Sequence, residues 1–154
     1  MSTELTHEQK AEEQLLTTMA WMLKIMKDRF GDEVYDVFVK EEGENARSLW
    51  KSIGEKANDN SIESLIQHLW EPLREKGDFE YTVEKTESGV QIKCTKCHPY
   101  DLAKQHGITE QVYYMGCEMD PFIVEGFNPN IGFKRTKTLM QGDDCCDHFY
   151  YYKK

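Results

Sequence analysis

Four residues that can do chemistry stand together near the end of the sequence: Cys145, Cys146, Asp147 and His148. A deprotonated thiol is a nucleophile and a metal ligand, and an imidazole exchanges protons near neutral pH. A carboxylate beside them can orient the imidazole or move a proton itself. This short segment is therefore the first candidate for a catalytic or metal-binding site.

The residues around this segment alternate between apolar and polar types, with Gly142 at a turn between two such runs. The pattern predicts a β-hairpin with one strand over residues 131–140 and a second over 145–152. Because successive side chains of a strand point to opposite faces, Cys146 and His148 share one face. We expect this face to look toward a second group of reactive residues, which lies earlier in the chain.

That second group is carried by a helix predicted to begin at Thr109. Cys117 and Asp120 are three residues apart and share one face of it. Pro121 cannot donate a hydrogen bond to the carbonyl four residues back and disfavours helical backbone at Asp120, so it predicts a break in the helix. At such a break the Asp120 carboxylate can cap the next helical segment or act on a substrate, and both interpretations stay open.

A third group, Cys94, Cys97 and His98, has the C-x-x-C-H spacing of covalent haem attachment. That chemistry normally requires export, and the N-terminus carries no signal for it. The two cysteines also have the spacing of half a zinc site, which needs two further ligands. A complete zinc site would take its ligands from Cys97, Cys117, Cys146 and His148.

Composition limits the class of protein and its partners. The 154 residues carry a formal net charge of -9, so a nucleic acid is not an expected partner. No apolar run approaches the roughly 20 residues that cross a bilayer, and we expect no membrane association and a cytoplasmic location. In that reducing compartment the five cysteines are expected to be thiols or ligands rather than disulfides.

The elements that must position these residues begin with helices. Apolar residues recur at helical spacing over 7–30, where Gly31 ends the pattern, and again over 34–57. Gly43 predicts a kink or break in the second helix. On the first helix, the methionines are interpreted as core filling; they are Met19, Met22 and Met26.

A third helix is predicted to begin at Asn60 or Ser61, with Glu63 placed to return a capping-box bond to Asn60. Pro72 predicts an irregular last turn. Near Gly77 the apolar period changes from 3.6 to 2, which marks the start of the strands.

The second half predicts a hairpin over residues 79–94, then two helices over 99–107 and 109–126, and finally the hairpin with the reactive cysteines. The fold class is therefore α+β, with N-terminal helices packed on a four-stranded antiparallel sheet that two helices interrupt. We expect one domain over 1–154, whose helical half covers about 1–76 and whose sheet-containing half covers about 77–154.

Four segments of the second half resemble one known family over about residues 90–150: Cys97 with the following Pro99, Cys117-Glu118-Met119-Asp120, Arg135-Thr136-Lys137-Thr138-Leu139, and Gly142 followed by Cys146-Asp147. The family is that of the L-2-amino-thiazoline-4-carboxylic acid hydrolases. It is in turn distantly similar to the vinyl-reductase-like small-molecule-binding domains. His98, between Cys97 and Pro99, and His148 depart from the family's pattern.

The resemblance implies a hydrolase that opens a small cyclic amidine or a related C–N bond, such as that of 2-amino-thiazoline-4-carboxylate. We expect no cofactor. The candidate catalytic residues are Cys146, Cys117, Asp120, Asp147 and His148. The candidate substrate-binding residues are Arg135, Cys97, His98 and Tyr113. A thiol would need activation by His148, His98 or a helix terminus, Asp120 or Asp147 would move protons, and Arg135 would bind a substrate carboxylate.

Two other classes of function stay open. The chain can be a small-molecule-binding or sensory module without catalysis, with a pocket lined by Tyr113, Phe149 and Tyr151. It can also be a metal-binding protein that holds zinc through its cysteines and His148. The sequence is compatible with a homo-oligomer as well as a monomer.

Overall fold

The computed structural model describes residues 5–154, in which helices pack on and interrupt an antiparallel sheet. The first half holds α1 (His7–Phe30), α2 (Glu33–Lys56), α3 (Ile62–Leu69) and α4 (Glu71–Glu75). The second half holds β1 (Phe79–Thr86), β2 (Gly89–Cys97), α5 (His98–His106), α6 (Thr109–Met115), α7 (Asp120–Phe127), β3 (Ile131–Lys134) and β4 (Cys146–Tyr152). The predicted α+β class is confirmed.

Helix α1 begins at a capping box, in which Thr6 and Gln9 bond each other's backbone N–H groups. It ends as predicted at Gly31, whose φ of +89° suits glycine. The outward face of α1 differs from prediction. Met19, Met22 and Met26 are exposed rather than buried in the core, because α2 covers only one side of the helix.

Helix α2 runs unbroken through Gly43, so the predicted break there is wrong. A Cβ at Gly43 would lie 2.6 Å from the ring of Phe122 on α7. The glycine therefore provides room for a close helix contact. Gly54 and Gly126 repeat this device along the same pair of helices, which pack backbone against backbone.

Helix α3 is capped by Ser61, whose hydroxyl accepts from the N–H of Ser64 at 3.1 Å. The predicted capping box between Asn60 and Glu63 does not form. Glu63 instead pairs with Lys85 of β1 at 2.9 Å. The irregularity predicted at Pro72 is confirmed, since α3 ends at Leu69 and α4 starts as a separate short helix.

The sheet has the order β1-β2-β4-β3, and all neighbouring strands are antiparallel. The predicted strand over 131–140 is too long, because β3 stops at Lys134, opposite Phe149. Residues 135–145 leave the sheet instead and include a 3₁₀ turn at Leu139–Gln141. This excursion positions Arg135 beside Asp120.

The larger core cluster joins the inner face of the sheet to α3 and α7. Its fully buried members include Leu65, Ile92, Val124, Ile131 and Tyr150. A second cluster, built around Ala20, Ala103 and Ile108, ties α1 to α5 and α6. Over residues 5–154, no helix combines the length and apolar character that crossing a membrane requires.

Candidate active site

The inner face of β4 carries the predicted reactive pair toward the helices. Cys146 and His148 are buried, as is Tyr150 two residues further on. The Nε2 atom of His148 lies 3.1 Å from Oδ2 of Asp120, the first residue of α7. The Cys146 face therefore looks toward the broken helix, as the strand alternation predicts.

Asp120 stands where the chain changes direction between helices. Helix α6 ends at Met115, a 3₁₀ turn covers Cys117–Met119, and α7 starts at Asp120 with Pro121 in its first turn. The predicted break is thus confirmed. The Asp120 side chain does not cap α7; it bonds both His148 and Arg135.

Arg135 completes the connection between the excursion after β3 and the broken helix. Its Nη1 donates to the Asp120 carboxylate and, at 2.9 Å, to the carbonyl oxygen of Cys117. Its Nη2 lies 3.9 Å from Oε1 of Glu118. We call Glu118, Asp120, Arg135 and His148 the polar cluster. Burial opposes the charge of Arg135, but Asp120 and its other neighbours raise the pKa of the guanidinium above its ordinary value.

Aromatic side chains surround the polar cluster. The edge of Trp70 contacts His148 at a centroid distance of 4.9 Å, and Phe133 lies 5.6 Å away on another side. Tyr113 faces the Arg135 guanidinium at 5.9 Å from the ring centroid. His148 Nδ1 is buried and has no hydrogen-bond partner among the described residues. A buried imidazole nitrogen without a partner is unusual, and it is free to accept a proton or bind a small molecule.

Two residues of this site were not predicted from sequence. Glu118 lies in the Cys117-Glu118-Met119-Asp120 segment, whose density of chemical groups was the available signal. The sequence around Trp70 indicates only a residue that packs in the core, with nothing to mark it as part of the site. Its role follows from a contact across 78 positions of sequence, which a local pattern does not contain.

The thiols beside the polar cluster are protected rather than activated. Burial raises the pKa of Cys146, although the N–H of Leu139, which donates to its Sγ at 3.3 Å, opposes the shift. Burial likewise raises the pKa of Cys117, and it raises that of Cys97 to about 12. The predicted activation of Cys146 by His148 is not present, because the ring nitrogen of His148 that makes a contact bonds Asp120 instead.

Asp147 and His98 lie outside the polar cluster. His98 starts α5, and its Nε2 pairs with Glu13 of α1 at 3.0 Å. Asp147 sits on the outer side of β4 and accepts the N–H groups of Thr136 and Lys137 at 2.8 and 2.6 Å. Asp147 thereby holds the segment that directly follows Arg135.

The pocket predicted for a sensory module does not form. Phe149 and Tyr151 stack on each other on the outer face of β4, with ring centroids 6.0 Å apart, whereas Tyr113 lies beside Arg135 on the inner side. Over residues 5–154, no three His, Cys, Asp or Glu side chains converge closely enough to hold a metal ion. Cys97, Cys117, Cys146 and His148 therefore do not form the zinc site considered from the sequence.

The larger cavities also lie elsewhere. One of about 740 Å³ lies beside the turn between β1 and β2, one of about 570 Å³ lies between α1 and α2, and one of about 400 Å³ lies between α1 and the start of α5. None of the three is lined by a residue of the polar cluster. The side chains of Arg135 and His148 are 9% and 7% exposed, so a substrate reaches them only when the surrounding side chains move.

The contacts of Asp147 lead to a test by pH. Partial burial opposes its ionisation, but the Thr136 hydroxyl and the N–H groups of Lys137 and Thr136 outweigh this and lower the pKa of the carboxyl. A carboxyl with a depressed pKa stabilises the fold above its unfolded-state pKa of about 3.9 and loses that contribution as the pH falls through the folded-state pKa. We expect Asp147→Ala to lower the free energy of unfolding at pH 7 by about 1–2 kcal/mol.

Urea denaturation at a series of pH values measures this effect. The difference between wild type and Asp147→Ala should shrink as the pH falls from about 3.9 through the lower folded-state pKa of Asp147, where the carboxyl of the folded protein becomes protonated. Asp144→Ala is the matched control, because Asp144 lies nearby and makes an exposed ion pair with Lys137. A difference that stays constant down to the lowest pH would contradict the assigned role.

A family model described as L-2-amino-thiazoline-4-carboxylic acid hydrolase matches residues 9–150. No curated protein matches the chain.

Among solved structures, the chain is similar to a trafficking protein particle complex subunit 3 from Naegleria fowleri covalently bound to palmitic acid. The identity is 13%, the TM-score is 0.55, and the match covers 92% of this chain and 95% of that one. It is also similar to the phenol-responsive sensory domain of the transcription activator PoxR with phenol. There the identity is 14%, the TM-score is 0.49, and the coverage is 89% of this chain and 74% of that one. At these identities the likeness concerns the fold alone.

Proposed function

Because the chain belongs to the L-2-amino-thiazoline-4-carboxylic acid hydrolase family, we propose that it hydrolyses a small cyclic amidine that carries a carboxylate. The observation that carries this proposal beyond the family name is the polar cluster. It combines a carboxylate–imidazole pair with a buried guanidinium, and one imidazole nitrogen has no partner among the described residues. Proton transfer and recognition of a charged substrate both require groups of these kinds.

The charges of the cluster suit such a substrate. An amidine is a strong base and is protonated at neutral pH, so the substrate carries both a positive and a negative group. Asp120 and Glu118 provide carboxylates for the amidinium, and Arg135 provides a planar pair of donors for the carboxylate. Substrate carboxylate and protein carboxylate would share Arg135, which limits the site to a small ligand.

In the proposed reaction, water attacks the amidine carbon while His148 Nδ1 takes its proton. Asp120, which contacts Nε2, stabilises the imidazolium that results. The C–N bond of the tetrahedral adduct then breaks, and the imidazolium returns the proton to the departing nitrogen. One water molecule is consumed, the ring opens, and the side chains return to their initial protonation states.

The thiols take a different part in this proposal from the one that the sequence suggested. Burial raises the pKa of both Cys146 and Cys117, so each is a neutral thiol at neutral pH and a poor nucleophile. They shape the apolar side of the cluster and leave the attack to water. Serine at position 146 is therefore expected to retain most of the turnover.

Incubation of the purified protein with 2-amino-thiazoline-4-carboxylate tests the activity directly. We expect a product heavier by one water, followed by mass spectrometry, and a fall in kcat of roughly 10²–10⁴ in His148→Gln. Cys145→Ser is the control, since Cys145 belongs to none of these contacts. Loss of turnover in Cys146→Ser, with a covalent intermediate in the wild type, would replace water by the thiol as nucleophile.

A second candidate is a binding module without turnover. The closure of the cluster to solvent and the high pKa values of its thiols favour it. So does the fold shared with a protein whose structure contains palmitic acid. Under this alternative the thiazoline carboxylate raises the melting temperature but yields no product. Turnover that His148→Gln abolishes excludes it.

A further inference from the structure

Helix α1 presents an apolar stripe that nothing in the described chain covers. The stripe consists of Leu15, Met19, Met22, Ile25, Met26 and Phe30, which are between 42% and 69% exposed. The helix spans four turns between its first and last member, and its opposite side packs through Ala20 and Leu23. Side chains of this kind are normally found inside a protein.

The area of the α1 stripe is what a stable protein interface needs. A large apolar side chain has on the order of 150–250 Å² of surface, so these exposures leave roughly 500–850 Å² accessible. A monomer rarely exposes one apolar patch of more than about 300–600 Å², whereas each partner of a standard interface contributes about 800 Å². The area alone therefore favours a macromolecular partner over a small ligand.

The order of residues indicates which partner. Four members of the α1 stripe are arranged symmetrically about a point between Met22 and Leu23: Leu15 and Phe30 are equally distant from it, as are Met19 and Met26. When two identical helices cross antiparallel about a twofold axis, residues at equal distances meet. Leu15 of one copy then packs against Phe30 of the other, and Met19 packs against Met26.

The charges of α1 favour the same arrangement. Its first eight residues hold three glutamates and one lysine, and its last seven hold three basic residues and one aspartate. Antiparallel packing brings the acidic half of one helix beside the basic half of the other, and a parallel pair would oppose like charges. Four stripe residues, Met19, Met22, Met26 and Phe30, also line the cavity of about 570 Å³ between α1 and α2, which gives large side chains of a partner a place to insert.

We propose that the α1 stripe is the interface with a second copy of this chain, packed antiparallel about a twofold axis that passes between Met22 and Leu23. Sedimentation equilibrium of the full chain should give twice the 18.1 kDa of one copy. Met22→Glu places one carboxylate from each copy close to the axis, within reach of the other, and should raise the dimer Kd by roughly 100-fold or more. Circular dichroism and the melting curve show whether the variant remains folded.

Val83→Glu is the matched control, because Val83 is 40% exposed on β1, away from the stripe. It should leave the dimer intact. A second measurement does not depend on breaking the dimer: Met22→Cys should form an intermolecular disulfide on mild oxidation, and Val83→Cys should not. A monomeric wild type at roughly 100 μM, or a dimer that Met22→Glu does not weaken, overturns the proposal. So does a monomer that binds neutral lipid vesicles or an apolar dye through the stripe.

Discussion

Replacing Asp120 with asparagine is expected to reduce kcat by roughly 10²–10⁴ while leaving the fold in place. The carboxylate contacts His148 Nε2 at 3.1 Å and bonds Arg135, and both contacts depend on its negative charge. Asparagine has the same shape but no charge. It therefore no longer stabilises an imidazolium at His148, and it leaves the guanidinium of Arg135 with the more distant Glu118 as its remaining carboxylate among the described residues, beside the Cys117 carbonyl.

Steady-state kinetics and urea denaturation separate the two consequences. The free energy of unfolding should fall by about 1–3 kcal/mol, because the buried Arg135 loses its main partner. Glu125→Gln is the matched control: Glu125 lies on the same helix and makes a half-exposed ion pair with Arg47. It should change neither quantity much. An Asp120→Asn enzyme with normal kcat would show that the polar cluster is structural and that catalysis, if present, lies elsewhere.

Gly54→Ala is expected to lower the free energy of unfolding by about 3 kcal/mol. In an ordinary helix the same change stabilises, since alanine has the higher helix propensity by about 1 kcal/mol. Here a Cβ would lie 2.3 Å from the carbonyl oxygen of Phe127, a backbone atom that cannot rotate away. Helices α2 and α7 would have to separate, and α7 carries Asp120.

Gly126→Ala should behave similarly, because its Cβ would lie 2.4 Å from the carbonyl oxygen of Arg47 on α2. Gly116→Ala is the control, since the nearest contact of its Cβ, the Val112 carbonyl oxygen, is at 3.4 Å. Denaturation midpoints in urea compare all three variants. If Gly54→Ala were as stable as the wild type, the two helices would not pack as closely as described.

The two-residue alternation of side chains along a strand predicted correctly which residues lie on the inner face of β4. Alternation depends only on backbone geometry, so Cys146 and His148 could be assigned to one face without any knowledge of their neighbours. The sequence could not identify the partner of His148. Asp120 lies 28 positions from His148 in the sequence, whereas Cys146 lies only two positions from it. The shorter separation suggested that the imidazole pairs with the thiol.

The secondary structure predicted from the sequence was wrong where a contact distant in sequence overrides a local preference. Residues 135–140 alternate like a strand, yet Asp147 takes the N–H groups of Thr136 and Lys137, and Arg135 turns toward Asp120. Gly43 looks like a helix breaker until the ring of Phe122, 79 positions later, fills the space beside it. A glycine in a sequence can thus mark either a helix break or a close packing contact, and tertiary packing decides between them.

The position of β4 in the sheet affects the order in which a newly made chain can fold. Strand β4 is synthesised after the other elements of residues 5–154, yet it lies between β2 and β3 and bonds both. A nascent chain that ends before Cys146 can form its N-terminal helices and first hairpin, but β3 has no strand beside it. In such a chain Asp120 and Arg135 have been synthesised, but His148, which contacts Asp120 in the finished fold, has not. The ribosome must therefore complete β4 before the candidate active site exists.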